Sequence, residues 1–251
     1  MAAGVKGLFN RMLIPYGNWL FRYRNAVFPL VMIGMFVLFR PKLLGNDLHT
    51  DLFLDAAGFL VAAFGQGLRA AVIGYAYIKR GGVDKKIHAD TLVTEGFFAH
   101  SRNPLYDGNL LILAGLFIIH NNVWVYLLGG AFFVIAYIAI VAAEEDFLLQ
   151  KFGDQYREYC AGVNRWWPRI RGLRRTANSM IFNWQRVLLK DYASCWTWVV
   201  MALLLVTYEV VLQPQFERPP DALWGLGGAA VVATAAMAAV RFLKKQKILR
   251  A

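Results

Sequence analysis

A chain of 251 residues carrying a formal charge of +11 is long enough for one or two soluble domains. However, 58% of its residues are apolar, 15% aromatic and only 17% charged, against ~45–50% apolar and ~25% charged for an average soluble domain. With a mean hydropathy of +0.43, these proportions exclude a water-soluble fold and predict an all-α, polytopic membrane bundle. The two cysteines, Cys160 and Cys195, have no metal-ligand spacing and exclude a disulfide-stapled scaffold.

Six apolar stretches follow in chain order, at 26–39, 52–78, 108–119, 123–143, 193–212 and 222–240. A helix needs about 20 residues to cross the hydrocarbon, so four of the six are comfortable spans. The first is short, carries Pro29 and is expected to begin earlier, near Trp19-Leu20-Phe21. The third is shorter still, starts among the residues before Gly108, and joins the fourth through a tight hairpin at His120-Asn121-Asn122. Pro219-Pro220 predicts a short external turn. This divides the chain into an N-terminal interfacial segment and first span (1–51), a membrane core (52–168), a basic amphipathic segment (169–192) and two C-terminal spans (193–251).

The segments alternate in charge. Outside the spans, 23 Lys and Arg fall on one side and 3 on the other, which by the positive-inside rule predicts that both termini lie in the cytosol. The basic charge is then topology plus attraction for anionic headgroups, and nucleic acid is not an expected partner. The first apolar run follows Arg22 and Arg24 without a small-residue cleavage pattern, so no cleavable signal is expected. Among residues 144–192, Trp166, Trp167, Arg169, Arg171, Arg174, Arg175 and Trp184 suit the headgroup region, where rings lie at the interface and arginines reach phosphate.

Polar groups in or beside spans are expensive and mark candidate sites. The second span contains Gly65-Gln66-Gly67-Leu68-Arg69. Arg69 lies ten residues from Lys79, or ~15 Å along a helix, too deep to snorkel easily. It requires an anionic partner or a wet cavity, while the glycines permit close packing of helices or of a ligand. Before the third span, Asn103-Pro104 sets a turn and a helix start, whose free N–H groups suit a carboxylate or phosphate, with His100 and Arg102 beside them. At the end of the fourth span, Glu144-Glu145-Asp146 oppose the helix dipole and call for Arg69, Arg102 or a bound cation. Leu149, Phe152, Tyr156 and Tyr159 then recur at helical spacing, as a ring-lined face suited to an adenine or a sulfonium or as ordinary packing. His49, His88 and His120 read as single histidines near the interfaces, with His88 close to the candidate loop.

Three stretches together resemble the isoprenylcysteine carboxyl methyltransferase family and its phospholipid methyltransferase relatives. FGQGLRAA (64–71) resembles F-G-x-x-L-R-x-A-A. TLVTEGFFAHSRNPLY (91–106) resembles T-L-V-T-x-G-x-Y-x-x-x-R-H-P-x-Y, and EEDFLLQKFGDQYREY (144–159) resembles E-E-x-x-L-x-x-x-F-G-x-x-Y-x-x-Y. The resemblance covers residues 62–168. It implies methyl transfer from S-adenosyl-L-methionine to a lipid or lipidated acceptor at the cytosolic face of a multi-pass membrane protein. It further implies a cofactor site built from Arg102, Asn103, Pro104, Glu144 and Glu145. Around these stand Leu92, Val93, Thr94, Gly96, His100 and Tyr106, with the Tyr156/Tyr159 face over the adenine.

Under that reading Glu144 or Glu145 takes the cofactor's ammonium or ribose and Arg102 its carboxylate. The acceptor enters between the second and fourth spans, steered by Arg69. An amine acceptor would need a base, with Glu144, Glu145 and Asp107 as candidates; a carboxylate would need none. Two positions depart from the pattern: Asn103 stands where the family usually has His, and Phe98 where it has Tyr. No metal site is expected. The competing expectations are an NADPH-dependent sterol or steroid reductase, whose K-Y-G-x-x-W-x-x-Y-C ending resembles KFGDQYREYC (151–160), and a non-catalytic lipid-binding protein.

Overall fold

The structure, a computed structural model, describes residues 2–42, 47–75, 82–83, 86–212 and 221–249. Helix α1 spans Ala2–Leu38 and runs through both Pro15 and Pro29. Helix α2 spans Leu48–Tyr75, and a two-residue ribbon pairs β1 (Gly82–Val83) with β2 (Lys86–Ile87). A 3-10 turn at Gly96–Ala99 leads to α3, Pro104–His120. A π-helical turn at Val125–Gly129 opens into α4, Gly130–Phe152. Short helices α5 (Asp154–Gly162) and α6 (Leu173–Asn178) precede α7 (Trp184–Leu212) and α8 (Ala222–Lys245). Among the described residues five helices are long and apolar enough to cross a membrane, namely α1 from Met12, α2, α4 with its π turn, α7 and α8; α3 is a shorter apolar helix. The fold is the expected all-α membrane bundle. The turn expected at Pro219-Pro220 and the expected end of the second span, 76–78, lie outside the described residues.

Helices α2 and α3 form the tightest pair, followed by α1 with α4, α7 with α8, and α2 with α7. Glycine makes the first pair possible. A Cβ on Gly58 would come within 2.6 Å of the Gly115 carbonyl oxygen, and one on Gly65 within 2.6 Å of that of Gly108. The two helices therefore meet backbone to backbone at two levels, seven residues apart on each. Gly67 meets nothing, so of the two glycines flanking Gln66 only Gly65 serves packing.

Helices α3 and α4 share the expected tight turn but diverge from it. Asn121 ends α3 in the left-handed region (φ 48°), a conformation asparagine tolerates. Asn121 Nδ2 donates to the Lys42 carbonyl (3.0 Å) and Asn122 Nδ2 to that of Arg40 (2.8 Å), tying the turn to the end of α1. His120 is a correction to the surface reading. It is fully buried and stacks on Phe36 with ring centroids 4.7 Å apart. The apolar core continues through Met32, Leu116, Phe133, Trp198 and Leu205.

Two further expectations change. Helix α7 begins at Trp184, nine residues before the expected start, and absorbs the end of the basic segment; a buried ion pair at Asp191, described below, allows it to continue. The remainder, 169–183, exposes Ile170 and Ile181 among its arginines, next to exposed Trp167, the mixture that suits the interface. The continuous face expected from Leu149 to Tyr159 is broken at Gly153, whose positive φ (52°) separates α4 from α5.

Candidate active site

The divergence of α3 from α4 leaves a cavity of about 720 Å³, within the ~300–1,000 Å³ typical of small-molecule sites. Its walls come from α1, α3, α4, α5, α7, the loops on both sides of the 3-10 turn and Arg69 of α2. They include Leu92, Val93, Arg102, Asn103, Tyr106, Glu144, Glu145, Tyr156 and Tyr159. These residues, spread over the two motif stretches at 91–106 and 144–159, thus converge on one volume.

Glu145 occupies its polar end. Its side chain is 14% exposed and lies between two arginines: Arg102 Nη2 at 3.4 Å from Oε1, and Arg165, whose Nε donates to Oε1 at 3.1 Å while Nη2 engages Oε2. Burial pushes the Arg102 guanidinium down, but the Glu145 carboxylate together with Cys160 and Tyr156 more than offsets it and holds the group above its ordinary value. Nearby, Tyr156 is buried and Tyr159 donates to the Phe98 carbonyl at 2.7 Å. Burial pushes both phenols up, reinforced by Glu145 at Tyr156 and opposed by Arg102 at Tyr159, so both stay neutral.

Glu144 is held differently. Tyr106 donates its hydroxyl to Glu144 Oε1 at 2.7 Å, and Arg24 Nη1 donates to the same tyrosine oxygen at 3.1 Å. A helix outside the three motifs thus supplies the cation behind this carboxylate. Neither Arg24 nor Arg165 is identified by the sequence reading. Arg24 gives only a charge before the first span, and Arg165 hides among the arginines of the interfacial segment.

The loop that carries Arg102 is braced by the chain after α5. Arg102 N donates to the Asn164 carbonyl (2.9 Å), Arg169 N to that of His100 (2.9 Å), and Asn103 Nδ2 to that of Arg165 (3.0 Å). His100 Nδ1 faces the Arg169 carbonyl at 2.7 Å and so must carry a hydrogen; Nε2 lies 2.9 Å from Thr176 Oγ1. His100, Thr94, Gly96 and Pro104 are not in the cavity wall. They shape the loop: Gly96 takes a positive φ of 64°, and Pro104 starts α3. Ser101 donates to Asp107 Oδ2 at 2.9 Å, so Asp107 braces the same turn and is likewise outside the wall. Asn103, in place of the usual imidazole, spends its amide on Arg165.

Arg69 also faces the cavity, yet it does not compensate Glu144–Asp146. It pairs with Asp191 of α7, bonds Asn109 through Nη1, and lies 3.3 Å from Ser194 Oγ. Gln66 Nε2 donates to the other oxygen of Asp191 at 2.6 Å, and Trp198 Nε1 to Gln66 Oε1 at 3.1 Å. The anionic partner that the depth of Arg69 requires is therefore present, on a helix the sequence reading begins two residues too late to include it. Asp51, Asp55 and Glu209 form a separate buried acidic group between α2 and α7, outside the cavity lining.

Residues 55–155 match the family model described as phospholipid methyltransferase, which overlaps the resemblance at 62–168 and runs from α2 to the start of α5. No curated protein and no solved structure gives a significant match to the chain. The match supports a membrane methyltransferase. Helix α1, Tyr156, Tyr159, Arg165, α7 and α8 lie outside it.

Proposed function

We propose that this protein transfers a methyl group from S-adenosylmethionine to a membrane-embedded lipid or lipidated acceptor at the cytosolic face. The observation that carries the reading is the convergence of both motif stretches on one cavity with carboxylates, guanidinium groups and neutral phenols at one end and apolar walls at the other. The residues fit the cofactor. The buried Nε of Arg102 has no hydrogen-bond partner among the described residues, so it is available to the cofactor's carboxylate. Glu145 offers a carboxylate to its ammonium or ribose, and Tyr156 and Tyr159 offer ring faces to its base.

When bound, S-adenosylmethionine supplies an electrophilic methyl group for in-line displacement. The chain's own work is alignment, which can contribute ~7–11 kcal/mol by effective-molarity reasoning. Arg102 and Glu145 fix the polar end. Tyr106, held by Arg24, keeps Glu144 turned into the cavity, where it can accept a proton from an amine acceptor; a carboxylate acceptor needs no such step. The cytosolic placement is supported by the distribution of Lys and Arg.

The deciding experiment is calorimetric titration of the detergent-solubilised protein with S-adenosylmethionine and, separately, with NADPH. Saturable binding of the first alone is expected. Binding of NADPH alone would replace this reading with a reductase, and binding of neither with a non-catalytic lipid-binding role.

A further inference from the structure

The acceptor's route is legible in two helices that lie outside the residues matched by the methyltransferase family. Phe21, Arg24, Asn25, Phe28, Pro29 and Met32 of α1 line the cavity, as do Ala193, Ser194, Thr197, Trp198 and Met201 of α7. From Arg24 and from Ala193 each set has the spacing i, i+1, i+4, i+5, i+8, with Phe21 one turn before Arg24, which is one continuous stripe on a helix. From Arg24 and from Ala193 both stripes also grade the same way. They pass from polar or small groups to Phe28, Pro29 and Met32 on one side and Trp198 and Met201 on the other.

Eight residues of rise make each stripe ~12 Å long, most of the ~15 Å depth of one leaflet's hydrocarbon. At the apolar end Met32 and Trp198 join Phe36, Ala202 and Leu205 in one buried cluster. Arg69 lies at the polar start of the α7 stripe, beside Ser194, and is paired with Asp191, so it exerts little net attraction on an anionic head.

We infer that the facing stripes of α1 and α7 form the slot for the hydrocarbon chain of the acceptor, with its polar group directed towards Glu144, and that α7 sets chain selectivity. This rests on the methyl-transfer reading only for the chemistry at the polar end. It replaces the expected access between the second and fourth spans, because α2 is sealed against α3 by Gly58 and Gly65 and contributes only Arg69 to the cavity wall.

The test uses the full chain in nanodiscs of phosphatidylethanolamine and phosphatidylglycerol doped with a phosphatidylethanolamine that carries a diazirine at the end of one acyl chain. After photolysis, peptide mapping should place adducts on Thr197–Met201 and on Phe28–Met32. Thr197→Trp should reduce them at least fivefold while S-adenosylmethionine affinity stays within twofold of the parent. If that variant does not fold, Ala193→Phe narrows the same stripe one turn nearer the polar end and should act likewise. Adducts confined to α8 and the outer faces of the bundle, or unchanged by the folded variant, overturn the slot. Failure of S-adenosylmethionine to bind the parent would sink the methyl-transfer reading and leave the adduct map to decide the slot by itself.

Discussion

The molecule holds two arginine–carboxylate clusters along one cavity, and they are built on opposite principles. At Arg69–Asp191 the side chains are 12% and 1% exposed, and Gln66, Asn109 and Ser194 take up the bonds that the pair leaves over at Asp191 Oδ2 and at both Nη atoms, Arg69 Nε being left without a partner among the described residues. At Glu145 the two arginines are 15% and 44% exposed, and one carboxylate is shared between them. A charge pair deep in apolar surroundings needs its desolvation offset by further hydrogen bonds, and these come from α2, α3 and α7, so the first cluster fixes how α7 sits on α2. The second lies near water, can exchange partners at little cost, and is the one suited to receive a charged ligand. The same chemical groups thus serve architecture at one depth and binding at another.

That contrast breaks most sharply at Asp191. Asp191→Ala leaves Arg69 buried and uncompensated and should cost ~3–5 kcal/mol, whereas Arg69→Met with Asp191→Leu should recover much of it; thermal unfolding in detergent distinguishes the two. Next in size is the α2–α3 contact. Gly65→Ala drives a methyl into the Gly108 backbone and should destabilise by ~1–3 kcal/mol, read in the same unfolding series, while Gly67→Ala, which meets nothing, should be close to neutral. At the other cluster, Glu145→Gln should weaken S-adenosylmethionine binding roughly tenfold, ~1.4 kcal/mol, and leave unfolding within ~0.5 kcal/mol of the parent. Calorimetry with an unchanged dissociation constant would remove Glu145 from the binding site.

The smallest expected effect is that of pH on the two phenols. Their values lie above the ordinary tyrosine value of about 10. The stability contributed by their neutral forms is therefore fully present below pH ~10 and is lost only as pH rises through the higher folded-state values. Cofactor affinity measured from pH 6 to 9 should show no inflection that Tyr156→Phe or Tyr159→Phe removes.

Much of this was legible in the residues and some was not, for identifiable reasons. The span count, the Asn121-Asn122 turn and the convergence of the 91–106 and 144–159 stretches follow from patterns that act locally: hydrophobic length, turn chemistry and helix starts. The partner of Arg69 does not, because Asp191 is 122 residues away and looks like one more charge on a cytosolic segment. His120 was misplaced for a similar reason, since only the approach of Phe36 from α1 makes a pocket for an imidazole. His100 was read as a ligand from its position beside Arg102, and its ring turned out to be held by Arg169 and Thr176, which no local pattern links to it. The break at Gly153 was within reach: a glycine following Phe152 at the end of a long helix is a common helix stop.

The sealed contact between α2 and α3 also bears on how the chain is assembled. These two helices are neighbours in sequence and can join as soon as the second emerges from the insertion machinery. Helix α1 has to wait, for its tight partner α4 is made only after both of them. Since closing long-range contacts is slow relative to local ones, the expected order is an α2–α3 pair first, then capture of α1 by α4, and the chamber is complete only after that, when α7 closes on it. A lesion on either side of the α1–α4 seam, such as at Gly17 against the Ala139 backbone, should therefore trap a half-built protein with an intact α2–α3 pair and no binding chamber.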